Sequence, residues 1–312
     1  FNSECKSLTT TALYSNGTWL MMLPTLFVGG TLHVMTGFDP KAFVDLVQRE
    51  RITHTFLVPP QFSAILSLEN LEKDSFSSLK TILSAGSPLR LEVKENILTS
   101  MSENLFELYG FSEGFATMLK PHDQRKKFGS VGTPVLGFEI KIIDEKGNEC
   151  SPNVAGEIAG YGAGMMKEYY REVELTNSLI WNDNRGRSFI KSGDIGSLDE
   201  DGFLTILDRK KDMIISGGLN VFPVDIEEVV GKHPDIIDVT VIGIPHEKWG
   251  ETCVALIIPK DGIEIDCNEI KNWSNEKLAK HQRLYKVETR KEFPRNALGK
   301  VLKRVLREPY WS

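Results

Sequence analysis

Apolar residues recur at two different periods along this chain, and the changes of period mark out its elements. In K-A-F-V-D-L-V-Q-R-E-R (residues 41–51), Phe43, Leu46 and Val47 fall at helical spacing. Pro40, behind Asp39, suits the first turn, so a helix is predicted there. Before it, residues 20–34 form an apolar run broken by Pro24, Gly29 and Gly30, and its end, T-L-H-V-M, reads as a buried strand entered through glycines. After it, T-H-T-F-L-V-P-P (residues 53–60) is a β-rich run stopped by two prolines. Residues 61–68 return to helical spacing, and T-I-L-S-A-G-S-P (residues 81–88) is strand-like again. Strands alternating with helices predict an α/β sheet with many parallel strands.

Past Gly129 the pattern changes. Residues 129–158 and 202–207 read as short strands with glycine turns, and Lys146-Gly147-Asn148 suits a hairpin connection. From Val224 a compact order restarts. It comprises a helix at 225–232, strands V-T-V-I-G-I and T-C-V-A-L-I-I-P, a helix at 270–279, the strand-like K-V-E-T-R-K-E-F and the basic helix K-V-L-K-R-V-L-R. That order predicts a small α+β domain of about a hundred residues. The boundary is placed near Asp208, which gives domains of residues 1–208 and 209–312.

Composition narrows the class without naming it. The chain has 312 residues, 41% hydrophobic and 26% charged, which suits about two domains with ample core. A net charge of −6 argues against general nucleic-acid binding, which usually needs a basic face. No apolar run is long enough for a membrane span. Cys5, Cys150, Cys253 and Cys267 lack C-x-x-C spacing, which favours reduced thiols and a cytoplasmic location over a zinc site or a disulfide framework. The six histidines form no H-E-x-x-H, and no G-x-S-x-G occurs. The chain starts at Phe1 and reads like the middle of something, with no recognisable signal peptide. Nothing here fixes the oligomeric state, and a homo-oligomer stays open.

Four stretches carry candidate chemistry, each with a plainer alternative. R-K-K-D-M-I-I-S-G-G-L-N-V-F-P (residues 209–223) sets three cations before paired glycines, which suits a polyanionic ligand approached closely by backbone, or, as the plainer reading of the stretch taken alone, a solvated basic turn before a buried strand. Tyr109-Gly110-Phe111-Ser112-Glu113 follows a strand-like L-F-E-L. It offers an aromatic face, a hydroxyl and a carboxylate suited to Mg²⁺, or else a turn with a helix-capping serine. Ser192-Gly193-Asp194 reads as a loop whose short acid accepts from ribose hydroxyls or caps a turn. Lys300, in N-A-L-G-K, stands on a glycine-flexed loop able to reach a site made elsewhere, as few terminal lysines do.

Taken in order, these stretches resemble the adenylate-forming superfamily of acyl-CoA synthetases, 4-coumarate–CoA ligases, luciferases and peptide-synthetase adenylation domains. The likeness runs through Y-S-N-G at Tyr14, F-D-P at Phe38, V-P-P at Val58, A-G-S-P at Ala85, Y-G-F-S-E at Tyr109, G-E-I at Gly156, E-Y-Y at Glu168, S-G-D at Ser192, D-R-K-K-D at Asp208 and L-G-K at Leu298. The string from Asp208 and the ending P-R-N-A-L-G-K-V-L-K-R-V-L-R-E most resemble carboxylate–CoA ligases. The resemblance implies an α/β fold: the C-terminal part of a large AMP-binding domain, followed by a small mobile α+β domain. It also implies ATP, Mg²⁺ and coenzyme A as cofactors, with a fatty or aromatic acid as substrate. Ala85, Gly86, Ser87 and Pro88 would line adenine, Tyr109 (next to Gly110) would stack on it, and Ser112 would contact the α-phosphate. Glu113 would hold Mg²⁺, Asp194 and Arg209 the ribose, and Lys300 the carboxylate and α-phosphate. Lys211 would be the hinge, Gly217 and Gly218 would line a pantetheine channel, and Asn220 would approach AMP.

Some positions depart from that pattern. Tyr14 stands where many members have His, Phe189 where Trp is frequent, and Ser112 and Ser192 where Thr is commoner. The Ser/Thr/Gly-rich phosphate loop with its lysine is absent from these 312 residues. The expectation is therefore a fragment, inactive in adenylation by itself, from a longer acyl-CoA synthetase. An enzyme that loads a carrier protein, a luciferase-like oxygenase and a non-catalytic nucleotide-binding remnant are the rival readings.

Overall fold

In the computed structural model, residues 1–296 and 299–311 are described; Ala297 and Leu298, part of the N-A-L-G-K stretch, and Ser312 lie outside them. The first layer alternates strands and helices as the pattern requires: β1 (Lys6–Thr9), α1 (Asn16–Phe27), β2 (Thr31–Val34), α2 (Pro40–Glu50), β3 (His54–Leu57), α3 (Pro59–Leu66), β4 (Thr81–Ser84), α4 (Leu91–Ser100), β5 (Leu105–Gly110), β6 (Ala116–Leu119) and β7 (Thr133–Pro134). They form a sheet in the order β2-β1-β3-β4-β5-β6-β7. It is parallel from β2 to β5 and antiparallel beyond. β3 is buried at every position, as a central parallel strand covered on both faces should be.

Local signals account for α2. The Asp39 carboxylate accepts from Ala42 N at 2.7 Å, Pro40 opens the helix, and Arg51 ends it in the left-handed conformation. Its buried Phe43 and Val47 pack with Leu8, Leu57, Phe62 and Ile65. The prolines after β3 do more than stop the strand, for Pro59 begins α3. The apolar run from Leu20 turns out to be mostly helix α1, which keeps Pro24 inside it and leaves Trp19, Leu20, Leu23, Leu26 and Phe27 exposed.

A second, antiparallel sheet comprises β8 (Phe138–Ile143), β9 (Gly156–Gly162), β10 (Ile180–Asn182), β11 (Ser188–Leu198) and β12 (Leu204–Arg209), with α5 (Val173–Leu179) before β10. The order is β10-β11-β9-β8, with β12 also on β11. The expected turn at Gly147 follows β8: Gly147 has φ 82°, and Asp144 accepts the backbone N–H of Lys146 and Asn148 at 2.8 Å each. Phe115 seats this sheet against the first. A side-chain carbon at Gly160 would lie 1.6 Å from its ring, so only glycine admits the approach.

The third sheet follows the turn after Arg209: β13 (Ile214–Ser216), β14 (Leu219–Val221), α6 (Pro223–Val230), β15 (Ile236–His246), β16 (Gly250–Pro259), α7 (Cys267–Asn275), β17 (Leu284–Thr289) and α8 (Lys303–Arg307). Its order is β14-β13-β16-β15, with β17 parallel on β16. Ile214, Val221, Ile226, Val241, Ala255 and Ile257 form its core. The basic C-terminal helix starts three residues later than the pattern suggests. Arg295 and Val301 pair as an antiparallel bridge, which places Lys300 on a loop ahead of α8. Among the described residues, no helix is long and apolar enough to cross a membrane.

Candidate functional site

The carboxyl ends of β4 and β5 carry the first candidates side by side. Ser84 is in register with Glu107, so Ala85, Gly86, Ser87 and Pro88 leave the sheet beside Tyr109 and Gly110. Gly86 turns there with φ 94°, a conformation that side chains disfavour. In open α/β sheets this edge is where ligands bind.

The second sheet brings an acid to this edge. Ser192-Gly193-Asp194 lies inside the long strand β11, not in a loop, and the correction has a physical cause. The β9–β11 register breaks between Lys191 and Ile195, and Gly193 takes φ 72°. An irregular strand re-aims side chains in the way a loop would. The Ser192 hydroxyl donates to Ile158 O and accepts from Asp194 N, each at 3.0 Å. Asp194 is in register with Arg209 across β11 and β12, and their side chains meet at 3.4 Å. The Tyr109 hydroxyl donates to the other Asp194 oxygen at 2.7 Å. Burial pushes the Tyr109 phenol far above its ordinary value, and the Asp194 charge adds to this, so the group stays a donor.

Lys300 completes the group from the far end of the chain. Its neighbours are Arg209, Asp194, Asp212 and Lys211, all close enough for their charges to act on it. Burial lowers its pKa from 10.5 to about 8; the Arg209 charge acts in the same direction, and Asp194 and Asp212 oppose it. Lys300 N donates to Asn296 Oδ1 at 2.9 Å. Gly299, at φ 79°, sits on Pro60, where a side-chain carbon would lie 2.9 Å from the ring. The structure therefore assembles Tyr109, Asp194, Arg209 and Lys300 from positions scattered over the whole sequence.

Ser112 and Glu113 lie on the turn between β5 and β6. A strand follows this turn, so Ser112 caps no helix. Two residues that sequence reasoning gave no role hold the pair: Asn16 donates to the Ser112 hydroxyl at 2.6 Å, and Tyr169 donates to Glu113 Oε1 at 2.7 Å. Both stand in motifs of the resemblance, Y-S-N-G and E-Y-Y, and that is the signal by which they were findable. Met166 N also donates to Glu113 O at 2.8 Å, which clasps the 163–172 loop to this turn. Glu113 Oε2 makes no hydrogen bond among the described residues.

Gly217, Gly218 and Asn220 stand apart. The glycines are the two central residues of the β13–β14 hairpin, with φ 59° and 79°, a turn that demands positive φ at both positions. Gly217 N donates to Trp249 O at 2.8 Å. Asn220 is exposed in β14. Among the described residues, no hydrogen bond or ion pair joins these three to Tyr109, Asp194, Arg209 or Lys300. Lys211 is exposed in the turn after β12, and its carbonyl accepts from Arg307 Nη1 at 2.9 Å.

Comparison with known proteins gives this geometry a lineage. The feruloyl-CoA synthase of Amycolatopsis sp is 32% identical over 294 residues, which are 93% of this chain and 58% of that one. The ATP-bound structure of MatB from Rhodopseudomonas palustris superposes with a TM-score of 0.91 at 30% identity, covering 99% of this chain and 61% of MatB. The apo form of MatB, at the same identity and coverage, gives 0.74. This chain therefore superposes more closely on the ATP-bound form of MatB than on its apo form. The family described as AMP-binding enzyme matches residues 2–170, and its C-terminal domain family matches residues 225–300. With more than half of its length in the first match alone, the chain belongs to the AMP-binding enzyme family.

Proposed function

We propose that this chain carries the adenylate-handling part of an AMP-forming acid–CoA ligase. The observation that carries the reading is Asp194 held between Tyr109 and Arg209, with Lys300 within range of the charges of Asp194 and Arg209. In the reaction, a carboxylate oxygen attacks the α-phosphorus of ATP and pyrophosphate leaves. The sulfur of coenzyme A then attacks the acyl carbon, and AMP leaves. Both steps pass through crowded negative charge, which positioned cations stabilise.

The residues divide as follows. Ala85, Gly86, Ser87 and Pro88 line the adenine at the sheet edge, and Tyr109 supplies its stacking face, with Gly110 next in the strand. One Asp194 oxygen is held by Tyr109 and the other faces Arg209, so the pair receives the ribose hydroxyls. Ser112 donates to the α-phosphate. Lys300 lies between the acyl carboxylate and the α-phosphate, where an arriving anion raises its pKa and completes its protonation. Lys211 is the hinge between domains of residues 1–208 and 209–312. About this hinge the second domain turns to bring Gly217, Gly218 and Asn220 to the adenylate for the thiol step, which accounts for their distance from Lys300 in this arrangement.

Glu113 fits a hard divalent cation. Mg²⁺ is ordinarily held by one or two carboxylates together with substrate phosphates, and among the described residues Glu113 Oε2 makes no hydrogen bond while Tyr169 holds Oε1. When bound, Mg²⁺ would supply charge neutralisation on the phosphates. Among the described residues, no group of three or more His, Cys, Asp or Glu side chains could hold a metal ion by itself.

The phosphate loop of relatives is absent from these 312 residues, so the adenylate, not ATP, is the ligand to test. Titrating acyl-sulfamoyl-adenosines, which mimic the acyl-adenylate, into the chain should show saturable binding that Asp194→Ala weakens at least tenfold. A ladder of aromatic and fatty acyl groups would report the acid class. Absence of binding by the folded chain would overturn the reading.

A further inference from the structure

A three-membered ion bridge, which the proposed reaction does not use, ties the Lys300 loop to the adenine edge. Its centre is Asp238 of β15, whose side chain is 18% exposed. Asp238 Oδ1 accepts from Arg90 at 2.5 Å, and Asp238 Oδ2 accepts from Arg295. Arg90 stands two residues past Pro88, at the start of α4, and also donates to Val239 O at 3.3 Å. Arg295 begins the loop that carries Lys300, and its second nitrogen donates to Gly299 O at 2.5 Å. From Arg90 to Gly299, four charged or polar groups therefore run in an unbroken line from the first layer to the loop.

We propose that Asp238 is a positioning residue: by binding Arg90 with one oxygen and Arg295 with the other, it latches the Lys300 loop over the nucleotide edge. Each oxygen holds one guanidinium, and neither partner can swing away without leaving charge half-desolvated. Without Asp238, two guanidiniums face each other with nothing between them. The two legs also differ in what they join. Arg295–Asp238 lies wholly within the third-sheet layer, whereas Arg90–Asp238 crosses to the first layer. Reorientation of one layer against the other breaks only the Arg90 leg, so the latch opens without dismantling the loop. The inference rests on Lys300 as the working residue of the proposed function, but its test does not.

The test is the pH dependence of acetylation at each lysine, read by mass spectrometry on the full 312-residue chain labelled with trace acetic anhydride. In the closed arrangement Lys300 titrates near 8. Arg90→Ala and Asp238→Asn should each lower the closed population about fivefold to tenfold and raise the Lys300 midpoint by up to about one pH unit. The exposed Lys41 serves as control and should not move, and Arg90→Lys should restore most of the wild-type value. Arg90 is 44% exposed, so its replacement leaves the fold intact, and thermal melts verify this. An unchanged Lys300 midpoint in both variants would overturn the latch, as would a change in Arg295→Ala alone, which would mark a purely local support. If the latch fails while adenylate mimics still bind, the ligase reading stands. If the mimics fail to bind while the midpoints move, the latch stands without it.

Discussion

An anion entering the site should drive a proton onto Lys300, and the uptake can be calculated. A lysine held at about 8 instead of 10.5 carries about 3 kcal/mol against its charged form. Because the folded value is depressed, this penalty is fully present below pH 8 and is relieved as pH climbs from 8 towards 10.5. At pH 8, about half of the Lys300 amines are neutral; at pH 7, about a tenth. A phosphate placed against the amine restores its ordinary value, so binding AMP should take up about 0.5 proton at pH 8, about 0.1 at pH 7 and about 0.9 at pH 9. Calorimetric titration in buffers of different ionisation enthalpy reads this number directly. Lys300→Met should abolish the uptake while leaving the ribose contacts of Asp194 and Arg209. An uptake that is zero in the wild type, or equal in Lys300→Met, would refute the placement of Lys300 beside the phosphate.

Three further outcomes follow from packing and charge. Lys94, 1% exposed, pairs with Glu107 at 2.7 Å beneath the β5 edge, so Lys94→Met should cost about 3–5 kcal/mol in urea unfolding, and adding Glu107→Leu should recover most of it. Gly160→Ala forces Phe115 from its seat between the first two sheets and should cost about 1–3 kcal/mol, part of which Phe115→Leu returns. Burial raises the Asp208 carboxyl to about 6, so its charge opposes folding fully above pH 6 and not at all below about pH 4. Asp208→Asn should therefore raise the melting temperature at pH 7 and have almost no effect at pH 3.

How much of this was readable beforehand follows from which forces are local. Helix α2 declares itself through Asp39, Pro40 and the spacing of Phe43 and Val47, all within one segment. Helix α1 does not, because its residues are apolar on nearly every side and include Pro24, so no periodicity separates it from a strand. The paired glycines at 217 and 218 were legible as special, yet the structure gives them a turn to make before any ligand. Ser192-Gly193-Asp194 looked like a loop because a bulge uses the same residues as a turn. The partners of the site residues were the least legible. Arg90 and Asp238 are 148 positions apart, and Asn16 and Ser112 are 96 apart, so only the fold could pair them.

The central claim is that Asp194, held by Tyr109 and facing Arg209, receives the ribose of an adenylate. The most direct measurement compares the dissociation constants of AMP and 2′,3′-dideoxy-AMP for the wild type and Asp194→Asn. Hydrogen bonds from hydroxyls to a charged acceptor contribute about 1.5–3 kcal/mol each, so the wild type should prefer AMP by at least tenfold. Asp194→Asn should lose most of that preference while still binding the dideoxy nucleotide as before. Equal affinity of the wild type for both nucleotides, or an unchanged preference in Asp194→Asn, would contradict the account.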